Sequence, residues 1–269
     1  MDCLNLGCGK RFHPSWVNIN FNSTGEGVIA HDLSKGIPFP DASFDVVYHS
    51  HLLEHFSQAA GKTFLQECYR VLRPQGILRV VVPDLEQIAR TYLIALEKAS
   101  NGSQLWADNY QWILLEMYDQ VARDYSGGEM VKYLARETIP NEEFVFQRCG
   151  REAKQIRESR NYQPKLTKPW LKPLKNLAAR QNILPNFFTK AYHNFRIGSF
   201  RQSGEIHQWM YDRYSLSCLL KQCGGEKIIQ RTATESYVSH WQSFNLDTEA
   251  DGSVTKPDSL FMEAIKASP

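Results

Sequence analysis

Short apolar runs separated by turn residues open the chain. Residues 4–6, 16–19, 28–30, 46–48 and 77–82 are brief and strongly apolar, as buried strands are. Between the last two, Phe64, Leu65, Cys68, Val71 and Leu72 recur at helical spacing and predict a helix over 59–72. Arg73-Pro74-Gln75-Gly76 then ends it and turns the chain into the next strand. Strands this apolar, joined by crossovers, imply a parallel sheet covered on both faces. From Leu85 to about Arg160 the period becomes helical. Over 105–125, Trp106, Tyr110, Ile113, Leu114, Met117 and Val121 fall on one stripe. Residues 161–204, with Pro164, Pro169, Pro173 and Pro185, read as irregular or broken helix. A helix over 214–222, a stop at Gly224-Gly225, and strands over 227–230 and 260–265 complete the pattern. The fold class expected is α/β: a Rossmann-like, doubly wound, mostly parallel sheet whose last strand is antiparallel. Residues 1–84 and 206–269 form this sheet domain, and 85–205 form a largely helical insertion that shapes a substrate site.

Composition narrows the class. The chain has 269 residues, 42% hydrophobic and 12% aromatic, enough for a sizeable core. No run of 18 apolar residues occurs, and Met1-Asp2-Cys3 lacks the basic and apolar regions of a signal peptide, so neither a membrane span nor a leader is expected. The six cysteines form no C-x-x-C pair; no metal site is expected, and scattered free thiols suit a reducing cytoplasm. Net charge is only +2, but residues 151–180 hold nine Lys/Arg against two acids, leaving −5 on the rest. Within that segment, 165–175 interleave cations with Trp170 and leucines; a solvated loop is the first reading, and peripheral contact with an anionic membrane the functional alternative. The low net charge and the lack of a nucleic-acid motif argue against RNA as a partner.

The candidate chemistry begins at Leu4-Asn5-Leu6-Gly7-Cys8-Gly9. Glycines after a strand let the backbone turn sharply and approach a ligand closely, at the sheet edge where nucleotides and related cofactors bind. A dinucleotide fingerprint would need glycine at position 12, which is Phe12, so a pyrophosphate held over a helix N-terminus is disfavoured. Downstream come Trp16-Val17-Asn18-Ile19-Asn20, His31-Asp32-Leu33, and a run from Ile37 through Phe44-Asp45-Val46-Val47. Tyr48-His49-Ser50-His51-Leu52-Leu53-Glu54-His55 and Leu72-Arg73-Pro74-Gln75-Gly76 follow. This ordered set resembles the class I S-adenosylmethionine-dependent methyltransferases, in particular the type-11-like group associated with glycan and natural-product pathways.

The resemblance implies S-adenosylmethionine as cofactor and a division of labour along the edge. Gly7, Cys8 and Gly9 would pass its methionine portion, with Asn5 and Lys10 near its polar groups. Asn20 would face the ribose, Asp32 the adenine amino group and Leu33 the ring, while His49 and Ser50 would close the pocket. Asn20 replaces the usual acid there. Only six residues, Lys10–Ser15, precede the next strand, too few for a full crossover helix, so the first helix is expected to be short or absent.

Methyl transfer to a hydroxyl needs alignment of donor and acceptor and removal of one proton, a task suited to histidine. His51, then His55, are the candidate catalytic bases. Asp84, at the end of the fifth strand, is a candidate substrate contact or a helix cap. His207 and Tyr211, four apart, and Arg148 are further candidates for binding the acceptor. Glu116, Asp119 and Arg123 read as a solvated helix face. The function expected is O-methylation of a glycan, lipid-linked sugar or small natural product. The alternatives are a non-catalytic cofactor-binding regulator or scaffold and, opposed by Phe12, a nicotinamide-dependent reductase.

Overall fold

The computed structural model describes residues 1–159 and 185–268, the backbone alone for 185–189; the basic stretch 160–180 and its segment 165–175 lie outside the described residues. Seven strands form one sheet: β1 (Cys3–Leu6), β2 (Val17–Asn20), β3 (Val28–Ala30), β4 (Phe44–Ser50), β5 (Leu72–Pro83), β6 (Gly225–Arg231) and β7 (Ser259–Lys266). Their order is β3-β2-β1-β4-β5-β7-β6. The pairs from β3 through β5 are parallel, and β7 runs antiparallel to both β5 and β6. This is a Rossmann-like α/β fold.

The two sheet faces are covered differently. Helix α1 (Gln58–Val71) is capped by the Ser57 hydroxyl, which accepts from the Ala60 N–H. It buries Phe64, Leu65 and Cys68 against Leu4, Leu6 and Val80. Helix α7 (Arg213–Gln222), closed by an Asp212–Ser215 capping box, adds Leu216 and Leu220 to the same core. On the other face the sheet meets Trp16 and the long β6–β7 connection, which contributes Ala233, Val238, Trp241 and Leu246. That connection replaces the helices that β1–β2 and β2–β3 are too short to form; neither link contains one.

A buried cation fastens this connection. Arg79 on β5 is fully buried, paired with Asp247 at 2.7 Å and Glu263 at 2.8 Å, and donates to the Thr232 and Glu235 carbonyls. Its guanidinium lies 4.5 Å from the Trp241 ring, and the Tyr48 hydroxyl donates to Asp247. Every charge here is matched by hydrogen bonds, the condition on which a buried ion network is tolerated.

Between β5 and α7 the described elements are helices: α2 (Leu85–Ser100), α3 (Gln104–Ala122), α4 (Gly128–Leu134), α5 (Glu142–Glu158, kinked at Gly150) and α6 (Pro185–Arg201). Trp112, Tyr133, Leu134, Val145 and Ala153 form a core of their own. Part of the segment expected to be irregular is α6; Pro185 opens it, at the position where a missing N–H costs nothing. The solvated face expected on α3 is instead internal. Glu116 and Asp119 are buried, Glu116 gripping Arg148 and the Trp112 indole, Asp119 accepting from the Glu129 and Met130 N–H groups that open α4. No described helix is long and apolar enough to cross a membrane.

Candidate active site

Two cavities meet at the carboxyl edge of the sheet. The larger, 910 Å³, has the β1 loop on one side (Gly7, Cys8, Gly9, Lys10), Tyr48, Ser50 and His51 below, and Phe244–Asp247 with Arg151 opposite. The smaller, 270 Å³, lies under the helical layer between α3, α4 and α5, lined by His51, His55, Gln120, Arg123, His207 and Asp258 among others. His51, Glu152 and Lys256 line both, so they stand at the junction; Glu152 and Lys256 pair at 3.1 Å.

The loop is built for close approach. Gly7 and Gly9 both have left-handed backbone (φ 66° and 54°), which side chains other than glycine disfavour. A Cβ on Gly7 would press on Leu52 at 3.0 Å, whereas one on Gly9 would meet no atom within 4 Å; it would occupy the open space beside the loop. The loop is anchored by Cys8 N–H to the Ile19 carbonyl and by Gly9 N–H to Asn20 Oδ1. Buried Asn5 donates to the Arg11 carbonyl and Asn18, and Arg11 reaches the Asn245 and Thr248 carbonyls and Glu249. Burial raises the Cys8 thiol, keeping it protonated at neutral pH. No helix stands between the loop and β2, so the loop itself offers no helix N-terminus to a pyrophosphate.

Asn5, Gly7, Cys8, Gly9, Lys10 and Ser50 thus come together around the large cavity. Asn20 and Asp32 lie further along the same edge, joined through the His31 N–H to Asn20 carbonyl bond between β2 and β3. Asn20 is engaged with Gly9 and the Asn22 carbonyl; Asp32 caps the turn Leu33–Lys35 by accepting from Ser34, whose hydrogen bonds lower its carboxyl. Leu33 packs against the α1-side core. His49 is corrected outright. Alternation along β4 puts Tyr48 on the cleft side and turns His49 away, wholly buried and edge to face with Phe64 of α1, ring centroids 5.1 Å apart. Burial pushes it down to about 4, so it is a neutral core residue.

Around the smaller cavity, His51 is held at both nitrogens: Nδ1 lies 3.3 Å from Glu54 Oε1, and Nε2 lies 2.8 Å from Ser259 Oγ. Its backbone is left-handed (φ 50°), an uncommon state for a non-glycine residue that marks a constrained position. Burial works against ionising Glu54, yet His51 beside it holds the carboxyl below its ordinary range. His55 and His207 pack edge to face at 4.9 Å, and burial lowers His207 to about 3. Three expected acceptor contacts lie elsewhere. Asp84 spends its carboxylate capping α2 through the Glu86 and Gln87 N–H groups. Arg148 braces α5 to α3 and α2 through Glu116 and Gln87. Tyr211 is core, pairing with Asp84 across a β-bridge.

Glu54, Lys256, Asp258 and Ser259 were not singled out from the sequence. Glu54 was within reach: three residues after His51 and one before His55, it had to lie beside them. The other three arrive with β7, and no local pattern announces them.

A family model described as a methyltransferase domain matches residues 15–80. A protein from Mycolicibacterium smegmatis named as a probable S-adenosylmethionine-dependent methyltransferase is 33% identical over 100 residues, covering 31% of this chain and 38% of the relative. One of the same description from Mycobacterium tuberculosis is 31% identical, covering 31% and 36%. The match thus spans under two fifths of these relatives. Among solved structures, an S-adenosylmethionine-dependent methyltransferase from Archaeoglobus fulgidus is 13% identical over 98% of this chain and 86% of that one, at a TM-score of 0.40. With its glycine loop and strand order beside that matched segment, the chain is similar to S-adenosylmethionine-dependent methyltransferases over residues 15–80.

Proposed function

We propose that this chain transfers a methyl group from S-adenosylmethionine to a hydroxyl of a small polyhydroxylated acceptor: a glycan, a lipid-linked sugar or a natural product. The observation that carries the reading is the meeting of two cavities at His51, one beside a glycine loop and one under a helical cover. The larger, at 910 Å³, is within the range that holds small-molecule cofactors, roughly 300–1,000 Å³. Open space beside Gly9 suits a ligand that must pass close to backbone.

Asn5, Gly7, Cys8, Gly9, Lys10 and Ser50 would hold the methionine end, with Asn20 and Asp32 taking the adenosine further along the edge. Bound there, the cofactor supplies a methyl carbon already activated on a sulfonium. The remaining work belongs to the chain. Glu54 keeps the proton of His51 on Nδ1, leaving Nε2 as the basic nitrogen; the Ser259 hydroxyl donates to it at 2.8 Å and yields that place to the acceptor hydroxyl. His51 then takes the proton of the acceptor hydroxyl at the junction of the cavities. Residues 85–205 act as the insertion that chooses the acceptor, through α3, α4 and α5 over the smaller cavity. Gln120, Arg123, Asp258 and Lys256 around it offer donors and acceptors suited to hydroxyls rather than to an apolar ring.

Calorimetry with S-adenosylmethionine, S-adenosylhomocysteine and NADH tests the cofactor, and a panel of sugars, lipid-linked glycans, phenols and peptides tests the acceptor. Binding of both sulfur ligands with methyl transfer to a sugar or natural-product hydroxyl is expected. Binding of NADH alone would overturn the reading.

A further inference from the structure

Glu54, His55 and His207 converge from parts of the chain about 150 residues apart, each offering one ligand atom within 4.8 Å of the others. We propose that they bind a divalent transition metal of the zinc type at the wall of the smaller cavity.

Three features point to a ligand rather than to packing alone. Both carboxylate oxygens of Glu54 are fully buried; Oε1 has only His51 Nδ1 beside it, at 3.3 Å, and Oε2 has no hydrogen-bond donor. A buried carboxylate oxygen without a donor is costly, and a cation is what satisfies one. His55 Nδ1 donates to the Ile206 carbonyl at 3.1 Å, which leaves the lone pair on Nε2. A backbone carbonyl fixing the tautomer in this way is the usual support behind a metal-bound histidine. The third feature is rigidity. Gln208 and Trp209 N–H groups donate to the Glu54 carbonyl at 2.7 and 3.2 Å, Gln208 Nε2 donates to the His55 carbonyl, and His207 N–H donates to the Gln120 carbonyl. The segment carrying His207 is thereby clamped to the turn carrying Glu54 and His55.

Two imidazoles and one carboxylate select a borderline first-row ion over magnesium, which prefers oxygen. Three protein ligands leave coordination open, as catalytic sites do, and His55 and His207 line the cavity into which that position would face. Glu54 has two oxygens, so holding His51 with Oε1 leaves the other for the ion. The ion's use rests on the function proposed above: an acceptor hydroxyl bound to it becomes more acidic, and its proton passes to His51.

The test is a Co²⁺ titration of the full chain, stripped with a chelator, followed by visible absorption, with Zn²⁺ displacing Co²⁺. One ion per chain is expected. Glu54→Gln, His55→Gln and His207→Gln should each weaken binding at least about 100-fold, while His240→Gln, at an exposed site, should not. Circular dichroism of each variant, and a Zn²⁺-dependent rise in the wild-type unfolding midpoint, keep the result readable where one variant misfolds. A Co²⁺ spectrum that never saturates, that survives all three substitutions, or that millimolar Mg²⁺ abolishes would overturn the proposal. S-adenosylmethionine calorimetry on the stripped chain separates the two readings: cofactor binding without metal binding sinks the metal site alone, and the reverse sinks the cofactor reading alone.

Discussion

His51 and His49 sit two positions apart and have opposite fates. His51 leaves the end of β4 in a left-handed conformation and stands between Glu54 and Ser259 at the junction of the cavities. His51→Ala should keep S-adenosylmethionine affinity within a few-fold in calorimetry and lower methyl transfer by roughly 10²–10⁴, the worth of general-base catalysis. Unchanged turnover would remove it as the base. His49 lies in the core with neither ring nitrogen satisfied, at a pKa of about 4 against its ordinary 6.5. The unfolded chain therefore takes up the proton first. The stability that goes with the neutral ring is intact above pH 6.5, is lost as pH falls toward 4, and falls no further below that. The loss amounts to about 3 kcal/mol. His49→Leu should flatten this part of the profile in urea titrations at pH 7, 5.5 and 4.5, without weakening cofactor binding. An equal slope in both proteins would show that His49 is not buried as a neutral ring.

At the scale of elements, the approach of α4 to α3 depends on one glycine. Gly128, the first residue of α4, has φ 56°, and a Cβ there would lie 2.2 Å from Asp119 Oδ2. Asp119 is buried and accepts the first N–H groups of α4, taking the place of a cap. Gly128→Ala should therefore destabilise the protein by about 2–4 kcal/mol, through left-handed strain and displacement of the carboxylate together. Thermal unfolding would register it; a change under half a kcal/mol would mean the two helices can part at no cost. Gly102, also left-handed but with no atom within 4 Å of a Cβ, provides the contrast in which strain acts alone.

Over the whole molecule, the large cavity exists because the β6–β7 connection is pinned to the sheet, and Arg79 is the pin. Removing it leaves buried Asp247 without a cation and buried Glu263 with Arg231 alone, which costs about 3–5 kcal/mol. Arg79→Met should lower the denaturant midpoint accordingly and weaken cofactor binding, since Phe244, Leu246 and Asp247 form the opposite wall. Arg90→Met, which breaks an exposed pair with Glu86, should change stability by less than about 1 kcal/mol. Similar losses in the two variants would mean that Arg79 is not the fastening point.

The sequence by itself determined what is local or periodic. Apolar runs located the seven strands within a few residues, though β4 and β5 extend beyond the runs because their ends are paired in the sheet. Glycine spacing placed the loop, its six-residue link excluded a crossover helix, and the run from His49 to His55 contained His51. Period two along β4 says that neighbours face opposite ways but not which face holds the cleft, so His49 had to be assigned by the packing of α1. Helical period likewise identified the polar stripe of α3 but not its partners; Arg148 from α5 and the first N–H groups of α4 make it an interior. The convergence of Glu54 and His55 with His207, and of β7 with His51, was decided by tertiary structure alone. Those contacts join segments about 150 to 200 residues apart, and nothing within a helix or strand period carries information over that distance.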